Sequence, residues 1–267
     1  MNTLSLPRIA YGVLVALLLV FLLAPVLLVF PISFSADNFI AWPPSGWSPR
    51  WYVALARESE LLLAFRNSVV LGLVVTVLSL AIALPAAVML VRKEFPGRDI
   101  LFSVFTAPLL LPSIVLGLAI LIVFVGRGLV GSWFGMVLAH LTLTLPYALR
   151  VLATGLKTLP PAVEDAAGTL GARPFTVFRR VTLPLMAPAL IAAGALSFLV
   201  SFDEVVISLF IVGPQLKVLP VSLYHYVESR TDPLVASASA VLILVTLLLV
   251  IVVERAVGLR KAVGGGG

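Results

Sequence analysis

Long runs of apolar residues, separated by shorter polar connections, set the pattern of this chain. The runs cover residues 9–32, 67–91, 101–125, 131–156, 184–211 and 234–253. A helix of about 20 apolar residues crosses the hydrocarbon core of a bilayer. The pattern therefore predicts an all-α integral membrane protein with six transmembrane helices. The first run is longer than the apolar core of a cleavable secretory signal, roughly 7–15 residues, so we expect an uncleaved helix there.

Composition supports the membrane assignment and excludes two other classes of protein. Apolar residues make up 61% of the 267 residues, and charged residues only 11%. So few charges could not cover a soluble enzyme of this size, and disordered chains are poor in apolar residues. The chain has no cysteine, so a disulfide or a thiolate metal site is also excluded.

The net charge of +6 reflects membrane topology rather than a nucleic-acid partner. With the N-terminus inside, 12 of the 18 lysines and arginines fall in segments on the inner side. Because positively charged loops are retained in the cytoplasm, we expect both termini to be cytoplasmic. Trp42, Trp47 and Trp51 then lie in the first outer loop, near the interface where aromatic rings are favoured.

One polar segment, residues 157–182, interrupts the apolar pattern between the fourth and fifth predicted spans. Pro160 and Pro161 are suited to end one helix and start the next, and Gly171 to end that next helix in a left-handed cap. Pro174 suits the first position of a further short helix. We therefore expect two short helices with an exposed apolar surface. On these residues alone, a docking surface for a cytoplasmic partner and an amphipathic loop on lipid headgroups are equally open.

The end of the polar segment and the residues after it resemble the coupling motif of ABC importer permeases, E-A-A-x3-G-x9-I-x-L-P. The spacing is kept, with aspartate in place of the glutamate and valine in place of the isoleucine. The resemblance implies two cytoplasmic coupling helices that bind in a cleft of an ATP-hydrolysing subunit and transmit its closure to the membrane helices. The residues expected to take part are Glu164, Asp165, Ala166, Ala167, Gly171, Phe175, Phe178, Val181, Leu183 and Pro184.

Longer stretches resemble the second permease of spermidine/putrescine-type importers, among them residues 47–52, 171–185 and 196–206. The resemblance implies a location in the bacterial inner membrane. It implies three regions: a first transmembrane helix and outer loop in residues 1–64, an ABC type-1 transmembrane domain in 65–255 and a short cytoplasmic tail in 256–267. The implied partners are ATPase subunits, a second homologous permease, an extracytoplasmic solute-binding protein and membrane lipid, but no nucleic acid.

Two adjacent acids, Asp203 and Glu204, stand inside the fifth apolar run. Ionised residues in a span are costly and usually face a cavity or a partner. We interpret this pair as a cation-attracting site or outer gate on the translocation pathway. The alternative is a helix-end acid that reaches water, or a structural partner for Arg127 or Arg230.

Ser113 and Trp42 complete the candidate substrate pathway. Polyamine permeases of this type usually carry an acid where this chain has Ser113. Since each ammonium group needs a paired charge or several acceptors, the missing acid weakens a polycation site. A polyamine or related organic cation is the leading hypothesis for the solute. Another small solute, such as an amino-acid-like compound, an opine or a phosphonate, is the alternative.

No catalytic arrangement is visible in the sequence: it contains no phosphate-binding loop, no HExxH and no Ser/His/Asp set. We therefore expect a transport subunit that is not an enzyme, with no metal and no cofactor, and with ATP and Mg²⁺ on the partner ATPase. His140, within a span, is expected to hydrogen-bond between helices. The predicted mechanism is alternating access. An ion-coupled secondary transporter is less favoured, since the two halves show no inverted repeat.

Overall fold

In the computed structural model, which describes the backbone of residues 6–264 and the side chains of residues 11–255, the chain is mostly helical. The α-helices are α1 (Leu6–Ser33), α2 (Arg50–Leu55), α3 (Ser59–Arg92), α4 (Arg98–Thr106), α5 (Ser113–Val125), α6 (Trp133–Lys157), α7 (Pro161–Thr169), α8 (Pro174–Val177), α9 (Leu183–Leu185), α10 (Ala187–Phe202), α11 (Val206–Ile211), α12 (Leu219–Ser229) and α13 (Leu234–Gly264). A 3₁₀ turn (Ala107–Leu110) follows α4, and a π-helix (Phe178–Thr182) joins α8 to α9. The predicted all-α fold is confirmed.

Four helices, α1, α3, α6 and α13, are long and apolar enough to cross a membrane unbroken. Two further candidates are bent. The stretch from α4 through the 3₁₀ turn meets α5 at 105°, and the stretch from α8 to α9 meets α10 at 69°. The described residues therefore hold up to six spans if each bent pair crosses the membrane once. The third and fifth predicted runs are thus broken, which the apolar pattern did not indicate.

Proline accounts for the irregular backbone at both bends. Pro112 has no N–H to continue a helix and keeps the residue before it extended. Leu111 accordingly has ψ 139°, and α5 starts directly after Pro112. At the second bend, Pro184 cannot donate the backbone hydrogen bond of a regular helix, and the turn before it is π-helical.

Helix α13 extends beyond the run that predicts it. The apolar run ends at residue 253, whereas the helix continues to Gly264. The additional residues are mostly good helix formers, such as Glu254, Arg255 and Leu259. Hydropathy marks where a helix meets the bilayer surface and carries no information on where the helix ends. The tail expected in 256–267 is therefore helical up to Gly264, and its last three residues lie outside the described part.

The chain divides into two compact units, of which the first runs to Leu61 and adds Leu223–Val245. In this unit the Ser237 hydroxyl of α13 donates to the Ser33 carbonyl at the end of α1 over 3.0 Å. The Ser33 hydroxyl in turn lies 2.7 Å from that of Tyr52 in α2. These contacts fix the end of α1, while its most apolar stretch contains no buried residue.

The connection between α1 and α2 is organised around Asp37. Its carboxylate accepts hydrogen bonds from the Ser45 hydroxyl, from the Ser45 N–H over 3.0 Å and from the Ser35 hydroxyl over 2.9 Å. These bonds, those from Ser45 above all, hold the pKa of Asp37 below its usual value. Arg50 donates to the Asp37 carbonyl. The loop therefore has a defined shape, and it presents Trp42 with 61% of its surface exposed.

The second unit, Leu62–Ser222 with the chain from Thr246, is held by two apolar clusters that share α3 and α6. One cluster joins these helices to α5, α11 and the start of α12 through buried residues that include Leu71, Met136 and Ile207. The other joins them to α10 through residues that include Leu152 and Met186. α6 is the most buried of the long helices and forms the centre of this unit.

Close contact between α6 and α10 depends on a glycine. A Cβ atom on Gly155 would stand 2.4 Å from the Cβ of Ala189. A similar contact occurs between α5 and α11, where a Cβ on Gly117 would lie 2.6 Å from the ring of Phe210. An aromatic ring can turn aside, whereas the Cβ of Ala189 is fixed to the backbone. The first contact therefore sets the distance between its two helices.

We expect Gly155→Ala to destabilise the fold, because the methyl groups at positions 155 and 189 can be accommodated only if α6 and α10 move apart. Overpacking of this kind costs about 1–3 kcal/mol. Gly12→Ala is the matched control, since a Cβ on Gly12 in α1 meets nothing within 4 Å. Thermal unfolding of both variants in detergent measures the difference. Equal melting temperatures would contradict the close packing of α6 on α10.

Candidate functional site

The polar segment (residues 157–182) adopts the helix boundaries that its prolines and glycine predict. α7 starts at Pro161, as expected. Gly171 follows its end with φ +82°, and the next N–H, that of Ala172, donates to the Ala167 carbonyl over 3.2 Å. This is the Schellman arrangement, in which a left-handed glycine ends a helix and satisfies its last carbonyls. The predicted cap at Gly171 is confirmed.

The second short helix starts as predicted and ends differently. α8 begins at Pro174 but has only four residues. It continues directly as the π-helix, in which the Leu183 N–H donates to the Phe178 carbonyl five residues earlier. Phe178, Val181 and Leu183 are partly buried along this stretch, which leads through α9 to α10. The end of the polar segment, from Pro174 onward, therefore leads through continuous helical turns to α10, whereas α7 is a separate short helix.

The surface of α7 and α8 presents large apolar side chains. Leu170 is 88% exposed, Phe175 is 72% exposed and Val163 is 41% exposed. Asp165 and Ala166 are exposed on the same pair of helices. Of the remaining motif residues, Gly171 and Pro184 are exposed and Ala167 is partly buried. An exposed apolar surface of this kind is typical of an interaction site.

Glu164 differs from the neighbouring residues that we expected to act with it. One carboxylate oxygen lies 2.8 Å from Nε of Arg92, at the end of α3. The other accepts a hydrogen bond from the Thr182 hydroxyl over 2.7 Å. The Glu164 side chain is only 18% exposed. Its carboxylate is therefore engaged within the chain, whereas Asp165 beside it is exposed.

The two acids of the fifth run occupy a break between α10 and α11. Asp203 caps the end of α10 and is exposed, whereas Glu204 is partly buried. The Glu204 carboxylate accepts from the Ile207 N–H over 2.9 Å and so satisfies a free donor in the first turn of α11. Among the described residues, no side chain pairs with the Asp203 carboxylate. Arg127, one suggested partner, instead donates to the Val123 carbonyl.

His140, on α6, holds the two sides of this break together. Its Nδ1 lies 2.9 Å from the Ser201 hydroxyl in α10, and its Nε2 lies 3.1 Å from the Ser208 hydroxyl in α11. Ser208 donates its own proton to the Glu204 carbonyl over 2.6 Å. It therefore accepts from Nε2–H, while Nδ1 accepts from Ser201. The predicted hydrogen bonding of His140 between helices is confirmed, in a ring that is only 1% exposed.

The other two candidate pathway residues, Ser113 and Trp42, are far from Asp203 and Glu204 in the sequence. Ser113 is the first residue of α5, at the 105° bend, and is partly buried. In the hydrogen bonds of the described residues, nothing links Ser113 to Asp203 or Glu204. Trp42 belongs to the first compact unit. The part of the chain that the structure describes contains no group of three His, Asp or Glu that could hold a metal ion.

Four residues of these clusters were not predicted from the sequence to be part of a site: Arg92, Thr182, Ser201 and Ser208. Arg92 counted only as one of the positive charges on the inner side. Ser201 and Ser208 stand in the fifth run on either side of Asp203 and Glu204, and the break between α10 and α11 separates them. The available signal was that serine hydroxyls within a span commonly hydrogen-bond to another helix.

Comparison with known proteins identifies the family. The model of the binding-protein-dependent transport system inner membrane component family matches residues 79–259. The putrescine transport system permease protein PotI of Escherichia coli (strain K12) is 34% identical over 257 residues, covering 91% of this chain and 89% of PotI. The spermidine/putrescine transport system permease protein PotC of Shigella flexneri is 29% identical over 261 residues, covering 97% and 98% of the two chains.

Similarity extends to a permease for a different solute and to a solved structure. The trehalose transport system permease protein SugB of Mycobacterium tuberculosis is 28% identical over 248 residues, covering 91% of this chain and 90% of SugB. A chain of the bacterial ABC transporter involved in the import of the acidic polysaccharide alginate shares the fold, with a TM-score of 0.68, 17% identity and 97% of each chain covered. The protein therefore belongs to the binding-protein-dependent transport system inner membrane component family and is a permease component of an ABC importer.

Proposed function

We propose that this chain forms half of the translocation pathway of an ATP-driven importer in the bacterial inner membrane, with both termini in the cytoplasm. A second homologous permease forms the other half. Two ATPase subunits bind and hydrolyse ATP with Mg²⁺, and this chain carries no cofactor of its own. An extracytoplasmic solute-binding protein delivers the solute. The orientation is supported by the 12 of 18 basic residues that fall on the inner side in this arrangement.

The exposed apolar surface of α7 and α8 is the observation that carries this proposal. Leu170 and Phe175 are almost bare of contacts within the chain, yet they stand in a segment whose spacing matches the coupling motif. The cap at Gly171 ends α7 between these two side chains, and α8 starts at Pro174 just after it. Such a surface fits a cleft of the ATPase subunit, because a few side chains buried in pockets of the partner contribute most of the binding free energy of an interface.

Alternating access follows if the ATPase subunits grip this surface differently in their open and closed states. A ligand or partner shifts a conformational equilibrium only by its difference in affinity for the two states. Closure of the ATPase subunits around ATP would move α7 and α8, and with them the helices to which the polar segment is joined. The pathway then opens outward to receive solute, and hydrolysis returns it to the inward-open state.

A polyamine or related organic cation is the proposed solute, and Asp203 its contact on this chain. The Asp203 carboxylate is exposed and unpaired among the described residues, in a chain where charges within the spans are rare. An ammonium group entering a low-dielectric pathway needs such a partner. The similarity to PotI and PotC supports the same class of solute.

A neutral solute is the second candidate, favoured by a specific residue. Ser113 supplies a hydroxyl and no charge at the start of α5. SugB is 28% identical to this chain, against 29% for PotC and 34% for PotI, so a permease named for a neutral sugar lies close to one of the two polyamine relatives in identity. In this alternative Asp203 is a helix-end acid that reaches water, and its charge has no part in transport.

We expect Leu170→Ala combined with Phe175→Ala to weaken the association with the ATPase subunits by at least about tenfold, because each side chain is a candidate anchor of the interface. The melting temperature of the permease should be unchanged, since neither side chain packs inside it. Phe39→Ala is the matched control, as Phe39 is 62% exposed in the loop after α1. Co-purification with the ATPase subunits in mild detergent measures the effect. Full retention by the double variant would exclude this surface as the docking site.

Substitutions of Asp203 and of Glu204 provide a matched pair of variants that tests the contact with the solute. We expect Asp203→Asn to raise the KM for putrescine uptake by about tenfold, the effect of losing roughly 1.4 kcal/mol of cation binding. Glu204→Gln should change it little, because its amide oxygen can still accept from the Ile207 N–H. Uptake into proteoliposomes that contain the complete importer measures both. Normal uptake of putrescine by Asp203→Asn would exclude Asp203 as the contact, and the absence of putrescine uptake by the unaltered importer would favour the neutral solute.

A further inference from the structure

Three separate parts of the second unit meet at the carboxylate of Glu164. The ion pair with Arg92 joins α7 to the end of α3 over 2.8 Å. The hydrogen bond from Thr182 joins α7 to the π-helix over 2.7 Å. Arg92 also donates to the carbonyl of Leu159, in the link between α6 and α7, over 2.9 Å. The Glu164 side chain therefore connects α7 to the end of α3 and to the stretch that leads into α10, and Arg92 adds a contact to the link after α6.

The contacts at this carboxylate are shielded from water. The side chains of Arg92 and Glu164 are 15% and 18% exposed, and Thr182 is 3% exposed. Exposed ion pairs are screened and contribute little to stability, whereas removing one member of a shielded pair leaves the other charge without a partner. The Arg92–Glu164 pair therefore resists separation when a force acts on α7.

The connection continues from Thr182 into the core. The Thr182 carbonyl accepts from the Met186 N–H over 2.9 Å, and the Met186 carbonyl accepts from the Leu190 N–H over 2.9 Å. Backbone hydrogen bonds thus run across the 69° bend into α10. Met186 is 2% exposed and lies in the apolar cluster shared by α3, α6 and α10. A displacement of α7 has a continuous, packed route to α10.

We propose that Glu164 is a positioning residue that locks α7, the end of α3 and the π-helix into one rigid body. The inference rests on the proposed docking of the ATPase subunits on α7 and α8. It identifies the side chain that transmits the motion of the ATPase subunits to the membrane helices. In this arrangement the exposed side chains of α7 and α8 make the contact, while Glu164, which faces away from it, transmits the displacement to α3 and α10. Asp203, at the far end of α10, then responds to the nucleotide state of the ATPase subunits.

The test uses a reporter that needs no knowledge of the solute. The chain has no cysteine, so Asp203→Cys introduces a unique thiol on this chain at the end of α10. In the complete importer, its labelling rate with a membrane-impermeant maleimide is measured with and without a non-hydrolysable ATP analogue. We expect the analogue to change the rate several-fold when Glu164 is present. Adding Glu164→Gln should abolish the change while the ATPase subunits stay bound. The glutamine can still accept from Thr182, so this variant isolates the ion pair.

Two further variants test whether Glu164 transmits motion or only stabilises the fold. Asp99→Asn is the matched control, because Asp99 forms an ion pair with the adjacent Arg98 at 3.4 Å and is 91% exposed. It should leave the nucleotide-dependent change intact. Exchanging the charges, Arg92→Glu with Glu164→Arg, should restore at least part of the several-fold change in labelling rate. A residue needed only for folding would not respond to this exchange.

The outcomes distinguish the two proposals. If the analogue changes the labelling rate equally with glutamate and with glutamine at position 164, Glu164 does not transmit the motion, and the inference fails while the proposed function stands. If charge exchange restores nothing while the protein remains folded and assembled, the ion pair is not the connecting element, and the inference fails in the same way. If the chain with Glu164 intact shows no response to the analogue, alternating access driven by nucleotide is itself excluded.

Discussion

Inside a bilayer no water is available to backbone N–H and C=O groups, so each of them must find a partner within the protein. Regular helices meet this requirement, and the chain uses local substitutes where a helix stops. The turn before Pro184 becomes π-helical, and the carboxylate of Glu204 takes the Ile207 N–H that no carbonyl reaches. Asp203 and Glu204 lie at one of these interruptions, the break between α10 and α11.

Two polar clusters hold α10 near its two ends by different chemistry. At the break beside Asp203, His140 forms a neutral set of hydrogen bonds, which can be buried completely without the desolvation of a charge. At the other end, Glu164 forms an ion pair with Arg92 and accepts a hydrogen bond from Thr182. Both charged side chains retain some contact with solvent. A neutral cluster can be buried deep within a span, whereas an ionic cluster is better placed at the edge of a span, where it keeps contact with solvent. Between them, the Gly155 contact fixes the distance from α10 to α6.

Residues with strong local preferences made much of the polar segment predictable. Pro161, Pro174 and Gly171 each act on the backbone within one or two positions, through a missing N–H or a left-handed φ. The length of an apolar run likewise depends only on neighbouring residues, so the helices could be located before their packing was known. The C-terminal end of α13 was harder to predict from the sequence. A helix that leaves the bilayer keeps its backbone hydrogen bonds in water, so it does not stop where the apolar run stops.

The contacts that define the candidate site could not be read from local preferences. Arg92 and Glu164 are 72 positions apart, and only the packing of α3 beside the polar segment brings them together. The same holds for His140 with Ser201 and Ser208. The resemblance to a coupling motif grouped Glu164 with its exposed neighbours, because a motif states which residue types recur and not which way each side chain points.

The bare surface at Leu170 and Phe175 has a consequence for the life of the protein in the cell. Apolar area left in water is unfavourable by about 25 cal/mol per Å² and binds whatever apolar surface it meets. A permease chain made in excess of its ATPase subunits would carry this surface uncovered. In the proposed assembly, balanced synthesis of the subunits is then a condition for keeping this surface covered, since an uncovered apolar surface is open to recognition by quality-control factors.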